Sequence, residues 1–317
     1  MAGNANFGSV LSTTLQNYRP KLEDNIFKKL PLFYYMYEKG RKRMEDGGER
    51  IIVPLLYERN STAQSYSAYQ QLDVTPQEGI SAAEYTWRQY SVTLTISGRE
   101  ERQNMGDKRV INLLDAKTTQ SELSLKRVMD IDLFSTNGDS STGMYGLQQL
   151  VDISPSTDTV GNINRATETW WRNNSTTSVG SFAANGLDNM RTMYNTCSNE
   201  GQDNIDIMMT TQTVLEYYEK ILQPQERFTD NKLADGGFTN LKFKDKPLVF
   251  DSNCTAGYIY FLNTNYLELV VHSSADMQTT EFVKPANQDA RTAQIYWMGN
   301  LVMSNAARQG VLSGITA

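Results

Sequence analysis

The chain has 317 residues, 39% hydrophobic and 21% charged, with a formal net charge of −6, a pI of about 5.1 and a mean hydropathy of −0.51. That is enough polypeptide for two subdomains or one large domain with real cores. An acidic balance argues against direct, high-affinity DNA binding, which needs clustered Lys and Arg, and no apolar run reaches the roughly 18 residues of a membrane-spanning helix.

Charge is uneven from the start. Residues 1–45 hold eight basic and four acidic groups, a balance of +4 that leaves −10 for the remainder. Leu22, Ile26, Phe27 and Leu30 suggest a short helix that stops before Pro31. Phe33, Tyr34 and Tyr35 then make a sticky cluster, an apolar liability unless something covers it. No basic–apolar–small leader pattern opens the chain. Gly47-Gly48 breaks the pattern, and residues 50–57 (RIIVPLLY) read as a strand in which Pro54 marks an edge or a bulge. Residues 58–86 are polar, and a connection this long is normally functional. Residues 90–97 alternate strictly, Tyr90, Val92, Leu94 and Ile96 against Ser and Thr, as a half-buried strand does. They are expected to return against 50–57 as a long two-stranded arm. Such an arm is marginal alone and needs a surface to lie on, supplied by a neighbouring subunit if its own domain does not reach. Tyr57, Tyr66, Tyr69 and Trp87 are its candidate contacts.

Residues 107–138 predict one long helix, with Asp107 as N-cap and Asn137-Gly138 as a left-handed stop. Both ends are apolar and the middle, 117–124, is polar, which reads as a spine gripped at both ends with other elements hung from it. Residues 138–184 are rich in Gly, Ser, Thr and Asn and are expected as irregular, surface-facing loops; Trp170-Trp171 interrupts them as a core or interface anchor. Residues 185–271 alternate between helix and strand and predict a small mixed-sheet domain with helices packed on it. Two of its strands, 257–263 and 266–271, are expected to pair around Asn263-Thr264-Asn265. Arg227 lies in a polar, Gly-terminated loop of this domain. Residues 294–302 are strand-like, and the tail they begin is expected to return to the long helix and join the arm strands.

Little here points to catalysis. His272 is the one histidine, and His272, Ser273 and Asp276 in sequence are not the geometry of a triad. Cys197 and Cys254 offer neither a disulfide framework nor zinc spacing and are expected to be reduced and buried, in a cytosol-like compartment. No nucleophile elbow, phosphate loop or metal-site spacing is present, so no cofactor is expected. Asp130 and Asp132 fall on different helix faces and read as solvated.

The ordered segments GGERIIVPLLYERNS, YTWRQYSVTLTISGREERQNMGDKRVINLLDAK, TVGNINRATETWWRNN, FKDKPLVFDSNC, YFLNTNYLEL and NQDARTAQIYWMGNLVMSNAARQGVL resemble successive sections of one branch of tailed double-stranded-DNA phage major capsid proteins, the Hong-Kong-97-type fold. The resemblance covers nearly the whole chain. It implies an α+β fold with an N-arm (1–45), an extended E-loop (46–97), a peripheral domain with a spine helix (98–138 and 286–317) and an inserted axial domain (139–285). It implies self-assembly as hexamers and pentamers into an icosahedral shell, with scaffolding, portal and decoration proteins as further partners, enclosing double-stranded DNA without reading its sequence, in a virion assembled in the host bacterial cytoplasm. The inter-subunit contacts would come from Phe33, Tyr34, Tyr35, Tyr57, Tyr66, Tyr69, Trp87, Lys117, Glu122, Trp170, Trp171 and Arg227. The chain departs from parts of the family in two ways. No Lys lies between Arg43 and Lys108, so the arm has no amine for an isopeptide crosslink, and no charged helical pro-segment precedes the N-arm, which implies a separate scaffold or none. An encapsulin-type shell around enzyme cargo is the alternative in the same fold. A small enzyme on the α/β unit, around His272 or Asp251, and a monomeric binding module are the alternatives outside it.

Overall fold

A computed structural model describes residues 30–38, 41–103, 113–199, 201, 203–222 and 241–317. In chain order it contains α1 (Pro31–Glu38), β1 (Lys42–Glu45), β2 (Arg50–Leu56), β3 (Ile80–Thr86), β4 (Arg88–Ser97), α2 (Gly98–Gln103), α3 (Leu113–Leu133), α4 (Leu147–Leu150), β5 (Thr159–Val160), β6 (Ile163–Asn164), β7 (Asn174–Thr176), β8 (Gly180–Ser181) and α5 (Leu187–Cys197). There follow β9 (Ile207–Thr210), α6 (Gln212–Leu222), β10 (Leu241–Phe243), β11 (Lys246–Phe250), β12 (Ile259–Leu262), β13 (Leu267–His272), β14 (Gln278–Thr279), β15 (Ala290–Met303), β16 (Gly310–Leu312) and β17 (Ile315–Thr316). The described chain divides into two units, one of residues 90–128 and 274–297 and one of residues 30–89, 129–273 and 298–317.

In the first unit β4 and β14 pair with β15, Gln278 opposite Tyr296 and Thr279 opposite Ile295. The alternation read in β4 is real: Tyr90, Leu94 and Ile96 are buried while Ser91, Thr93 and Thr95 are exposed. The Tyr90 and Trp297 rings meet edge to face at 5.6 Å, which adds to the area they bury. Three charged residues of α2 are engaged in ion pairs. Lys117 donates to Glu100 Oε2 at 2.9 Å and to the Thr95 carbonyl at 3.1 Å, Arg102 pairs with Asp289 and Arg291 with Glu101.

The second unit holds the predicted α/β domain. Six strands run β10-β11-β9-β12-β16-β7. Against them pack α5 and α6, whose Met190, Met193, Cys197, Val214, Leu215 and Tyr218 form one cluster with Met208, Leu248, Phe261 and Leu312. Both helices are amphipathic at the 3.6-residue period, so their inward faces were readable. Cys197 and Cys254 are free and buried, as expected. β13 lies in a different ladder, parallel to β1 and antiparallel to residues 299–303 of β15.

Four expectations need correction. First, the return strand of the arm is β3: Arg50 to Leu56 pair residue for residue with Thr86 to Ile80, and β4 pairs with β15. Second, β12 and β13 are not partners. The Asn263-Thr264-Asn265 turn is a crossover, held where Gln309 donates to the Asn263 carbonyl and accepts from its amide, at 2.9 Å each. Third, the long helix ends at Leu133, before Asn137-Gly138. There Ser135 Oγ donates to the Asp132 carbonyl at 2.7 Å and the Phe134 amide turns back to Ile131, a serine closing the last turn where glycine was expected. Asp107 lies outside the described residues. Fourth, residues 138–184 are irregular but only partly surface-facing. Met144, Tyr145, Leu147, Leu150, Val160 and Trp171 are all buried. Irregular backbone can be buried only if its polar groups find partners, and a fully buried guanidinium supplies them: Arg165 donates to the carbonyls of Trp171, Gln149 and Leu150 at 3.1, 3.2 and 2.5 Å.

Candidate assembly surfaces

The hairpin β2–β3 has two unlike faces because β2 reads RIIVPLL, apolar on both sides of the pleat. One face is core: Ile51, Val53, Leu55, Ala83 and Tyr85 are buried. It is pinned by named contacts. Tyr85 Oη donates to the Met303 carbonyl at 2.9 Å, and its ring meets Tyr145 edge to face at 5.3 Å. Asn300 Nδ2 donates to the Thr86 carbonyl at 2.8 Å while Asn300 Oδ1 accepts from the Tyr145 and Leu301 amides, each at 2.9 Å. The Glu84 amide donates to the Gly161 carbonyl at 2.9 Å. Gly161 and Asn162 carry φ of 60° and 61°, the left-handed pair of a two-residue hairpin turn. A Cβ on Gly161 would lie 3.0 Å from the Ala83 methyl, so glycine permits both the turn and the approach.

The other face is exposed among the described residues. Ile52 is 57% exposed, Leu56 81% and Ile80 80%, and Pro54 and Ala82 are exposed beside them. The register places Leu56 opposite Ile80 and Pro54 opposite Ala82. The face is closed at one end by the Arg50–Glu84 ion pair at 2.6 Å. Beyond Leu56 the chain continues into residues 57–79, tied at the neck by the Tyr57 amide on the Gly79 carbonyl at 3.0 Å and further out by Ser61 on Gln77 at 2.8 Å. Here Tyr66, Tyr69, Leu72 and Val74 are all exposed. A contiguous exposed apolar surface of this kind marks an interaction site, and burying a Leu or Ile side chain contributes roughly 1.5–3 kcal/mol before association costs.

The twelve candidates divide by placement. Tyr66 and Tyr69 stand in solvent, and Tyr34 faces outward from α1. Phe33 and Trp171 are buried within the chain; Phe33 stacks on Tyr37 at 5.1 Å, and Trp171 Nε1 donates to the Val160 carbonyl at 2.9 Å. Tyr35 turns toward Asp206 and Arg41, and its hydroxyl is raised above the usual phenol range by burial and then by the Asp206 charge. Tyr57 stacks on Trp170 at 4.9 Å, interplanar 18°. Trp87 donates from Nε1 to the Gly48 carbonyl at 2.9 Å and meets His272 edge-on. Lys117 is engaged as above, and Glu122 is half-buried on α3. Arg227 lies outside the described residues.

Sequence reading passed over the exposed apolar face itself, Ile52, Leu56 and Ile80. A signal existed: a strand that is apolar at consecutive positions has both faces to cover. It also misplaced Asp130, which is fully buried rather than solvated.

Among the described residues no group of three or more His, Cys, Asp or Glu could hold a metal ion, and no helix is long and apolar enough to cross a membrane.

The chain has an α+β fold shared with capsid shell proteins. It is similar to the subunit of the cyanophage A-1(L) capsid (TM-score 0.69, 14% identity, 96% of this chain and 98% of that one). It is similar also to the capsid of a native GTA particle (TM-score 0.65, 12% identity, 94% and 95%) and to the holo-SrpI encapsulin of Synechococcus elongatus PCC 7942 (TM-score 0.61, 10% identity, 97% and 95%). The phage-capsid fold expected from the residue resemblance is matched by these neighbours. No family model matches the chain, and no curated protein does.

Proposed function

We propose that this chain is a major capsid protein whose copies form hexamers and pentamers and close into an icosahedral shell around double-stranded DNA. The observation that carries the proposal is the uncovered face of β2–β3, in a chain that shares its fold with capsid subunits. In this reading β2–β3 with residues 57–79 is the E-loop and lies across a neighbouring subunit, and α3 is the spine it crosses. Residues 139–285 are the axial domain at capsomer centres, residues 1–45 an arm that latches another copy, and residues 98–138 with 286–317 the peripheral domain. Tyr34, Tyr66 and Tyr69, with Leu56 and Ile80, supply contacts between copies. Energy comes from many moderate contacts repeated by symmetry. The net charge of −6 suits a wall that encloses DNA without gripping it. The shell would be part of a virion assembled in the host cytoplasm, with scaffolding, portal and decoration proteins as further partners.

The likeness to an encapsulin favours a second reading, a shell around enzyme cargo. Nucleic acid extracted from particles purified from their source separates the two. Double-stranded DNA of genome length is expected; particles that hold a co-purifying enzyme and no such DNA would overturn the viral reading.

A further inference from the structure

Residues 57–79 leave the β2–β3 hairpin as an irregular extension with no core of its own. Apart from Tyr57, Thr62 and Gly79, which are half-buried, every residue in it is exposed. Among the described residues its hydrogen bonds stay within the segment. The Tyr57 amide meets the Gly79 carbonyl, and the Tyr57 hydroxyl donates to the Glu78 carbonyl at 3.3 Å. Ser61 donates to Gln77, and the Asn60 and Asp73 side chains close tight turns onto Thr62 and Thr75. These bonds hold the extension to itself and leave open the direction in which it departs.

At the neck the extension meets the body. The Tyr57 ring lies on the Trp170 ring, centroids 4.9 Å and planes 18° apart. Trp170 is itself held: its Nε1 donates to Glu168 Oε2 at 2.7 Å, and its ring leans on Trp171 at 5.5 Å. Trp171 is buried, with its Nε1 on the Val160 carbonyl and its own carbonyl taking Arg165 Nε. Contacts therefore run unbroken from the buried guanidinium through Trp171 and Trp170 to Tyr57. From Tyr57 they reach both strands of the neck, one through its own backbone and the other through Glu78. Those strands move together because they are close: a Cβ on Gly79 would lie 2.9 Å from the Glu58 carbonyl oxygen.

We propose that Trp170 is a positioning residue: through its stack with Tyr57 it sets the direction of residues 57–79, and so holds Tyr66, Tyr69, Leu72 and Val74 where a second copy of the chain meets them. The meeting with a second copy rests on the capsid reading above; the aiming does not. Tyr57 and Trp170 then act within one subunit rather than as contacts between subunits.

Leverage makes the stack matter. About eleven residues each way reach about 35 Å when extended, so a turn of about 20° at the neck carries the tip about 12 Å. An extension that wanders this far must be ordered on association, and that cost weakens binding without any contact being lost. The stacked pair itself adds only modestly to the stability of the subunit.

The test measures the direction of the extension. Nitroxide labels at Gln71→Cys on the extension and Thr192→Cys on α5, both exposed positions, give a distance distribution by pulsed electron resonance in the unassembled full-length chain. Cys197 and Cys254 are buried and stay unlabelled. A narrow distribution is expected. Tyr57→Ala and Trp170→Ala should each broaden it by about 10 Å, while Trp170→Phe, which keeps a ring, should leave it narrow. Hydrogen exchange of residues 207–210 should stay level in all three. A distribution that is already as broad with both rings in place, or that stays narrow in Tyr57→Ala, would overturn the aiming. Tyr57 lies outside the buried cluster, so Tyr57→Ala decides should Trp170→Ala not fold. Particle yield of the same variants separates the aiming from the capsid reading. A roughly two- to tenfold fall together with a broadened distribution supports both. A broadened distribution with undiminished yield keeps the aiming and overturns the presentation of the tip to a second copy.

Discussion

Leu56 lies directly opposite Ile80 where β2–β3 opens into residues 57–79, and both side chains are almost wholly in solvent. This cross-strand pair separates folding from assembly. Leu56→Asp or Ile80→Asp should change the stability of the subunit by no more than about 0.5 kcal/mol, as exposed substitutions do, yet should prevent or strongly weaken association. Val53→Asp, three residues from Leu56 on the buried face, should cost about 4 kcal/mol or more by burying an unpaired charge. Chemical denaturation and light scattering of the three variants check both arms.

Asn300 ties three segments together through one side chain, holding the Thr86 carbonyl and the Tyr145 and Leu301 amides while fully buried. Asn300→Ala leaves the Thr86 carbonyl and the Tyr145 amide without this partner, at a cost of about 2–4 kcal/mol. The hairpin should loosen first, seen as faster exchange of residues 80–86 than of the α5–α6 core.

The α/β unit was legible in the sequence because α5 and α6 show their inward faces at helical spacing. The hairpin was legible only in part. ISAAEYT, the strand that pairs with β2, has small side chains and a weak alternation, whereas β4 alternates perfectly; periodicity announces a strand but not its neighbour. The partner is set by contacts distant in sequence, Tyr85 with Met303 and Asn300 with Thr86. Burial of Tyr145, Leu150, Val160 and Trp171 was hidden for a similar reason: it depends on Arg165, a residue type that sequence reading places outside. Tyr57 and Trp170 meet only through the tertiary fold, so nothing local in either segment marks them as a pair.

Two positions in the polar stretch of α3 should respond differently to substitution. Gln120→Pro in the exposed middle removes a helical hydrogen bond and strains the preceding turn, at about 3 kcal/mol, and should stop assembly. Lys117→Ala loses the bonds to Thr95 and Glu100. Both partners of that ion pair are partly in solvent, so the loss should be below about 1 kcal/mol and assembly should only weaken. Particle yield by sedimentation compares the two; equal effects would mean that α3 acts only as a core helix.

No lysine lies between Arg43 and Lys108, so the hairpin and its loop have no amine with which to form an isopeptide bond. Denaturing gels of mature particles should show a single band near the chain mass of 35.8 kDa. A ladder of covalent multiples would contradict noncovalent assembly.

The most direct test of the central claim is electron microscopy of the purified full-length chain, with its mass in solution measured on the same sample. The account predicts rings of five or six subunits or closed icosahedral shells, lost in Leu56→Asp. A species of 35.8 kDa alone, under every buffer and concentration tried, would contradict it.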